Sequence, residues 1–264
     1  MDEDAANQSD GASETETSLL GKAAFVSGGS SGIGRAIALE IGERGGRVTI
    51  CGRRVDRLDE VADQIRSAGG QAHVVEADFS HPTAIEEAVG FAADHWGGQL
   101  NILINAAGVA LQATLSDGST DDWRAMLDIN VLALAVATRE ALKVFPQEGG
   151  GDVINIGSMS GHRVPGRGGF YSATKFAVRA MTEGLRQELR QAGNLTRVGS
   201  VSPGFVDTEL LSRYFESAGA DRYQAIEYPI LKPEEVARVV VEMLSLPRTA
   251  EITDVLMRPS QQAT

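Results

Sequence analysis

From Lys22 onward, short apolar runs alternate with longer stretches in which apolar residues recur every three or four positions. Ala23 to Val26 precedes Ile33 to Glu43, Arg47 to Cys51 precedes Val55 to Ala68, and Ala72 to Ala77 precedes Ala84 to His95. A short apolar run followed by a helical period reads as strand then helix, and its repetition predicts parallel strands joined by right-handed helical crossovers. The pattern continues through a strand at Ile102 to Asn105, a long helix around Asp121 to Phe145, a strand at Val153 to Gly157, a helix from about Phe170 to Ala192 and a strand at Arg197 to Val201. The expected fold is α/β, a single-domain Rossmann-type doubly wound parallel sheet of about seven strands with helices on both faces.

The pattern fails in two places. Residues 1 to about 18 carry almost no apolar side chain and are expected to form a disordered acidic tail, leaving 19–264 as the folded domain. Between Pro203 and Pro233 the periodicity degrades while Tyr214, Phe215, Tyr223 and Tyr228 gather, the mark of a lid or pocket segment. Pro233 with Glu234 and Glu235 then opens a last helix, as proline and acids do in a first turn.

Composition narrows the setting. Aromatic residues are only 5% of a chain that is 42% hydrophobic, so the core is aliphatic, as buried parallel strands require. The single cysteine, Cys51, cannot form an intramolecular disulfide, and no basic then apolar leader opens the chain, so a cytoplasmic location is expected. The longest apolar stretch, Val131 to Ala137, falls well short of the ~20 residues of a membrane span, so no membrane partner is expected. A formal net charge of −12 without a basic stripe argues against a nucleic-acid partner. The four histidines show no metal-ligand spacing, and no metal is expected.

Between the first strand and first helix stands Ser27-Gly28-Gly29-Ser30-Ser31-Gly32-Ile33-Gly34. Glycines at these points let the backbone turn sharply and approach a pyrophosphate at the helix N-terminus, which makes Ser27, Gly28, Ser30, Ser31, Gly32, Ile33 and Gly34 candidate cofactor ligands. Where an acid would bind a free ribose 2′-hydroxyl at the end of the second strand, the chain has Gly52-Arg53-Arg54. Guanidinium groups there suit a 2′-phosphate, so NADP(H) is expected over NAD(H), with Arg53 the main ligand and Arg54 more peripheral. Asp78 and Phe79 after the third strand, and Asn105-Ala106-Ala107-Gly108 after the fourth, lie at the carboxyl edge where open α/β sheets bind ligands.

Tyr171-Ser172-Ala173-Thr174-Lys175 sets a phenol and an ammonium four residues apart on one helix face. With the glycine loop, Asn105-Ala106-Ala107-Gly108, Asn130, Ser158, and Pro203-Gly204 followed by Thr208, the pattern resembles the short-chain dehydrogenase/reductases over roughly residues 20 to 262. The resemblance implies an oxidoreductase in which Tyr171 exchanges a proton with the carbonyl or alcohol oxygen and Lys175 lowers the phenol's pKa while holding the ribose. It also implies that Ser158 hydrogen-bonds the substrate oxygen and that Asn130 binds a water linking Lys175 to solvent. Pro203, Gly204, Val206 and Thr208 are expected around the nicotinamide. Ser27 in place of the usual Thr, and Ala106 where many relatives have Asn, depart mildly from the pattern.

The runs Ser158 to Val164, Leu185 to Arg190 and Met257 to Gln261 resemble a cytosolic branch of the family that reduces ketosteroids and other lipophilic carbonyls or oxidises alcohols such as farnesol. The expected partner is a small carbonyl or alcohol substrate, and the helices around Asp121 to Phe145 and Phe170 to Ala192 are expected to pair chains into a homodimer or homotetramer. His162, just past Ser158, either shapes the pocket mouth or packs in its loop. Other readings are a catalytically silent dinucleotide-binding sensor or scaffold, NAD-dependent use of the same site, and an epimerase or dehydratase retaining its nicotinamide.

Overall fold

A computed structural model describes residues 19–166, 168–221 and 226–262. The expected acidic tail and Tyr223 lie outside them. The strands are β1 (Ala23–Ser27), β2 (Arg47–Gly52), β3 (Gln71–Glu76), β4 (Ile102–Asn105), β5 (Asp152–Ile156), β6 (Arg197–Pro203) and β7 (Asp254–Met257). All pair in parallel, in the order β3-β2-β1-β4-β5-β6-β7. The helices are α1 (Gly32–Glu43), α2 (Val55–Ser67), α3 (Pro82–His95), α4 (Thr120–Leu127), α5 (Ala133–Val144), α6 (Gly169–Gln191), α7 (Glu209–Glu216) and α8 (Pro233–Ser245).

Alternation along each strand builds a core on both faces of the sheet. Ala24, Val26, Val48, Ile50, Ile102 and Ile104 pack with α1, α2 and α8 through Ile37, Leu58 and Val240. Ala23, Phe25, Cys51, Leu103 and Val153 pack with α3 and α5 through Ile85 and Ala137. Burial pushes the Cys51 thiol up to about 12, so the lone cysteine is an inert core residue.

Two departures from the sequence pattern matter. The long helix expected around Asp121 to Phe145 is broken by a π turn at Asp128–Leu132, where the Ala133 N–H donates to Asp128 O five residues back. The segment after Pro203 is not wholly irregular, because Thr208 caps α7 by accepting from Leu211 N at 3.3 Å. The helices expected to pair chains carry exposed Leu127, Leu132 and Phe176. No described helix is long and apolar enough to cross a membrane.

At the amino edge of the sheet, buried Arg197 donates to Asp152 Oδ1 at 2.6 Å and to the carbonyls of Leu244, Leu246 and Ala250 at 3.1, 2.9 and 3.1 Å. Arg248 adds a 2.9 Å bond to the same Asp152 oxygen. The Arg197 guanidinium satisfies carbonyls at and beyond the end of α8 and fastens that end to β5 and β6.

Candidate active site

The strand order reverses between β1 and β4, and a cleft of about 610 Å³ opens there along the carboxyl edge of the sheet. Its lining includes Gly28, Ser30, Ser31, Gly32, Ile33, Gly34, Arg53, Arg54, Asp78, Phe79, Ala106, Ala107 and Gly108 at one end. Ser158, Tyr171, Lys175, Pro203, Gly204, Val206 and Thr208 line the other.

The glycine loop is built for backbone proximity. Gly28 has φ of +69°, and a Cβ there would lie 2.8 Å from Ala107 Cα. Ser31 starts α1 in extended conformation without a side-chain cap, and no acid stands in the first turn. The helix N-terminus therefore presents open N–H donors to the cleft with no acid in its own first turn, which fits a pyrophosphate.

Ser27 and Asn105 stand behind this wall rather than in it. Ser27 Oγ donates to Ile104 O at 3.2 Å and accepts from Ala106 N and Ala107 N at 3.0 and 3.1 Å, locking the turn after β4 to the end of β1. Asn105 Nδ2 donates to Thr138 Oγ1 at 3.1 Å and Asn155 Oδ1 at 2.9 Å. Through these bonds both side chains brace the loops at this end of the cleft. Asp78 does reach the cleft, and hydrogen bonds from Ser80 N and Oγ hold its carboxyl below the usual range.

Arg53 and Arg54 both line the cleft: Arg53 is exposed, and Arg54 Nη2 donates to Ser30 Oγ at 3.0 Å and Ser31 Oγ at 2.8 Å, which attaches it to the glycine loop.

At the opposite end, α6 presents Tyr171 and Lys175 one turn apart, with Lys175 Nζ 5.9 Å from the phenol ring centre. Lys175 is buried and donates to Ile156 O at 2.9 Å. Burial brings its pKa down to about 8. Burial pushes the Tyr171 phenol up to about 12, opposed by a hydrogen bond with the Ser158 side chain. Burial sets the direction of both shifts, upward for the phenol and downward for the ammonium. Ser158 is set by the short turn that follows β5, and its Oγ accepts from Ser160 N at 3.1 Å. Gly161 lets that turn lie against Lys175, since a Cβ there would stand 2.7 Å from Lys175 O.

Asn130 lies just outside the cleft lining, at the π turn. Its Oδ1 accepts from Val109 N at 2.8 Å, and its Nδ2 donates to Val109 O at 2.8 Å and Thr174 Oγ1 at 3.1 Å. The side chain ties the loop after β4 to α6 beside Lys175. π turns of this kind recur at functional sites.

Sequence reading found the outer wall only in part, at Tyr214 and Phe215. Val109, Ala110, Leu111, Met159, Leu210 and Phe215 complete it, with Tyr214 centred 6.1 Å from the Tyr171 ring. Gln262 closes the rim, accepting from Phe205 N at 3.1 Å. The gathered aromatics after Pro203 were the visible signal for part of this wall. His162 packs in its loop instead, with Nε2 3.1 Å from Ser202 Oγ and 3.7 Å from Asp254, and burial lowers its pKa. Among the described residues, no group of three or more His, Cys, Asp or Glu side chains could hold a metal.

Comparison with known proteins agrees with this geometry. The family model for short chain dehydrogenases matches residues 22–219. Dehydrogenase/reductase SDR family member 11 of Bos taurus is 40% identical over 248 residues, covering 91% of this chain and 97% of that protein. A serine dehydrogenase solved in closed form with NADP+ superposes with a TM-score of 0.83 at 31% identity, over 91% of this chain and 96% of that one. A short chain dehydrogenase of Burkholderia cenocepacia solved with NADP gives 0.79 at 34% identity, over 90% and 97%. With the glycine loop, the Tyr171–Lys175 pair and Ser158 brought to one cleft, the chain belongs to the short-chain dehydrogenase family and is an oxidoreductase of that family.

Proposed function

We propose that this protein transfers a hydride between NADP(H) and the carbonyl or alcohol carbon of a small lipophilic substrate. The observation that carries the reading is one continuous cleft with anion-accepting backbone and arginines at one end and Tyr171, Lys175 and Ser158 at the other. The bound nicotinamide would supply or accept the hydride.

The chain's own residues do the rest. Open N–H groups at the start of α1, with Ser30, Ser31 and Arg54, hold phosphate. Lys175, Val206 and Thr208 orient the ribose and nicotinamide end, and Asn130 supports the route by which Lys175 exchanges protons with solvent. A phenol whose pKa is near 12 is protonated at neutrality, so Tyr171 stands ready as proton donor to a carbonyl oxygen. The Ser158 hydroxyl, hydrogen-bonded to Tyr171, is placed to donate to the same oxygen as charge develops on it. The wall of Leu111, Leu210, Tyr214 and Phe215 excludes water and favours an apolar substrate.

The NADP-bound relatives and the absence of an acid at the end of β2 support NADP(H) as the preferred cofactor. The test is nicotinamide absorbance followed with NADPH and NADH against a panel of ketosteroids, diketones, quinones and aldehydes. NADPH-selective turnover that disappears in Tyr171→Phe is the expected result; saturable cofactor binding without turnover on any substrate would favour the silent-sensor reading.

A further inference from the structure

The phosphate end of the cleft contains a carboxylate that the family pattern does not require. Arg54, besides its bonds to Ser30 and Ser31, donates through Nη1 to Glu209 Oε2 at 2.8 Å. The other Glu209 oxygen accepts from Arg57 Nη1, and Arg213 lies 3.7 Å from Oε2. Glu209 is the first residue of α7, 155 positions beyond Arg54 in the chain, so the contact joins the segment after β6 to the loop after β2. The side chains of Arg54 and Glu209 are 33% and 41% exposed, which leaves the pair in reach of a solute entering the cleft.

Resting on the dinucleotide reading, we propose that Glu209 is a specificity-determining residue: a resident anion that holds Arg54 and Arg57 in place of the cofactor's 2′-phosphate, and so sets the preference between NADP(H) and NAD(H). Two anions compete for one pair of guanidiniums. Glu209 is ionised at neutrality, because Arg54 and Arg57 hold its carboxyl below the usual range. A 2′-phosphate carries more charge than a carboxylate and displaces it, but it then stands against that carboxylate at close range. A cofactor with a free 2′-hydroxyl meets no such repulsion and offers the carboxylate a donor. Glu209 therefore restrains a preference for NADP(H) that Arg53, Arg54 and Arg57 would otherwise make stronger. Its role is separable from folding, because Thr208 caps α7 and the Glu209 side chain is partly exposed.

Calorimetric titration of the wild-type protein, Glu209→Gln and Glu209→Ala tests this with NADPH, NADH, 2′,5′-ADP and 5′-AMP. Both variants are expected to bind NADPH and 2′,5′-ADP about five- to tenfold more tightly, with NADH and 5′-AMP unchanged or weaker. High salt should shrink the difference. An equal shift for nucleotides with and without the 2′-phosphate, or weaker NADPH binding in both variants, would overturn the proposal while leaving the dinucleotide reading intact. Wild-type protein that binds neither dinucleotide would overturn that reading, and this inference with it.

Discussion

Lys175 and Tyr171 are the residues whose ionisation the fold changes most clearly within the cleft, and in opposite directions. Lys175 releases its proton near pH 8 in the folded chain against an ordinary value of 10.5, so between these pH values the unfolded chain holds more protons and stability rises with pH. Tyr171 is shifted from 10.0 up to about 12, so its contribution is present below pH 10 and lost as pH rises through about 12. Chemical denaturation of cofactor-free protein should therefore show the wild type gaining on the order of 3 kcal/mol relative to Lys175→Met between pH 7 and about pH 10. A constant difference over that range would mean that Lys175 is not desolvated as described. The same titration predicts that carbonyl reduction slows above about pH 8, as the site loses its ammonium. At this scale the meeting of Tyr171, Lys175 and Ser158 was legible in the sequence, because the phenol and ammonium stand four residues apart and Ser158 follows a strand. The division of labour was not. Ser27 and Asn105 share the motif with true cleft residues, and only the hydrogen bonds show them facing inward. Adjacent arginines look alike in a sequence, yet Arg54 is the one drawn onto Ser30 and Ser31.

The π turn shows what hydrophobic periodicity cannot carry. Leu127, Leu132 and their neighbours continue a helical pattern across Asp128–Leu132, so the expected element was one helix. The extra residue in the turn is accommodated where Asn130 bonds both main-chain groups of Val109, a contact between segments 21 residues apart. Asn130→Ala leaves those two groups and Thr174 without their partner, and should cost about 2–3 kcal/mol by denaturation while lowering kcat more than it raises the KM of the cofactor. A variant of wild-type stability would show that water or a rearranged loop replaces the amide. α7 was not expected, and the seventh strand was counted but not located, for a different reason. α7 is short and takes its form from the cap at Thr208, and β7 is a four-residue edge strand whose pairing with β6 is not encoded in its own alternation. The βα repeats before them were plain because every strand there is backed by a helix of matching period.

At the scale of the whole molecule, the two edges of the sheet have separate tasks. The carboxyl edge holds the cleft, whereas the amino edge is fastened by Arg197 and Asp152, both with side chains less than a tenth exposed. Asp152→Ala strands the Arg197 guanidinium and removes a partner of Arg248, so it should destabilise the protein by about 3–5 kcal/mol without changing cofactor affinity at a temperature where it remains folded. A matching loss of cofactor affinity would mean that the two edges are coupled.

The parallel sheet and its reversal point explain why groups from residues as distant as Gly28 and Thr208 meet in one cleft. Hydride transfer within that cleft is tested most directly by NADPH deuterated on the transferred face of nicotinamide C4, incubated with the protein and a ketone that it turns over. The account predicts deuterium on the carbinol carbon of the product, formed by the wild type and not by Tyr171→Phe. Product formed without label from either face of C4, or label transferred equally well by Tyr171→Phe, would contradict it.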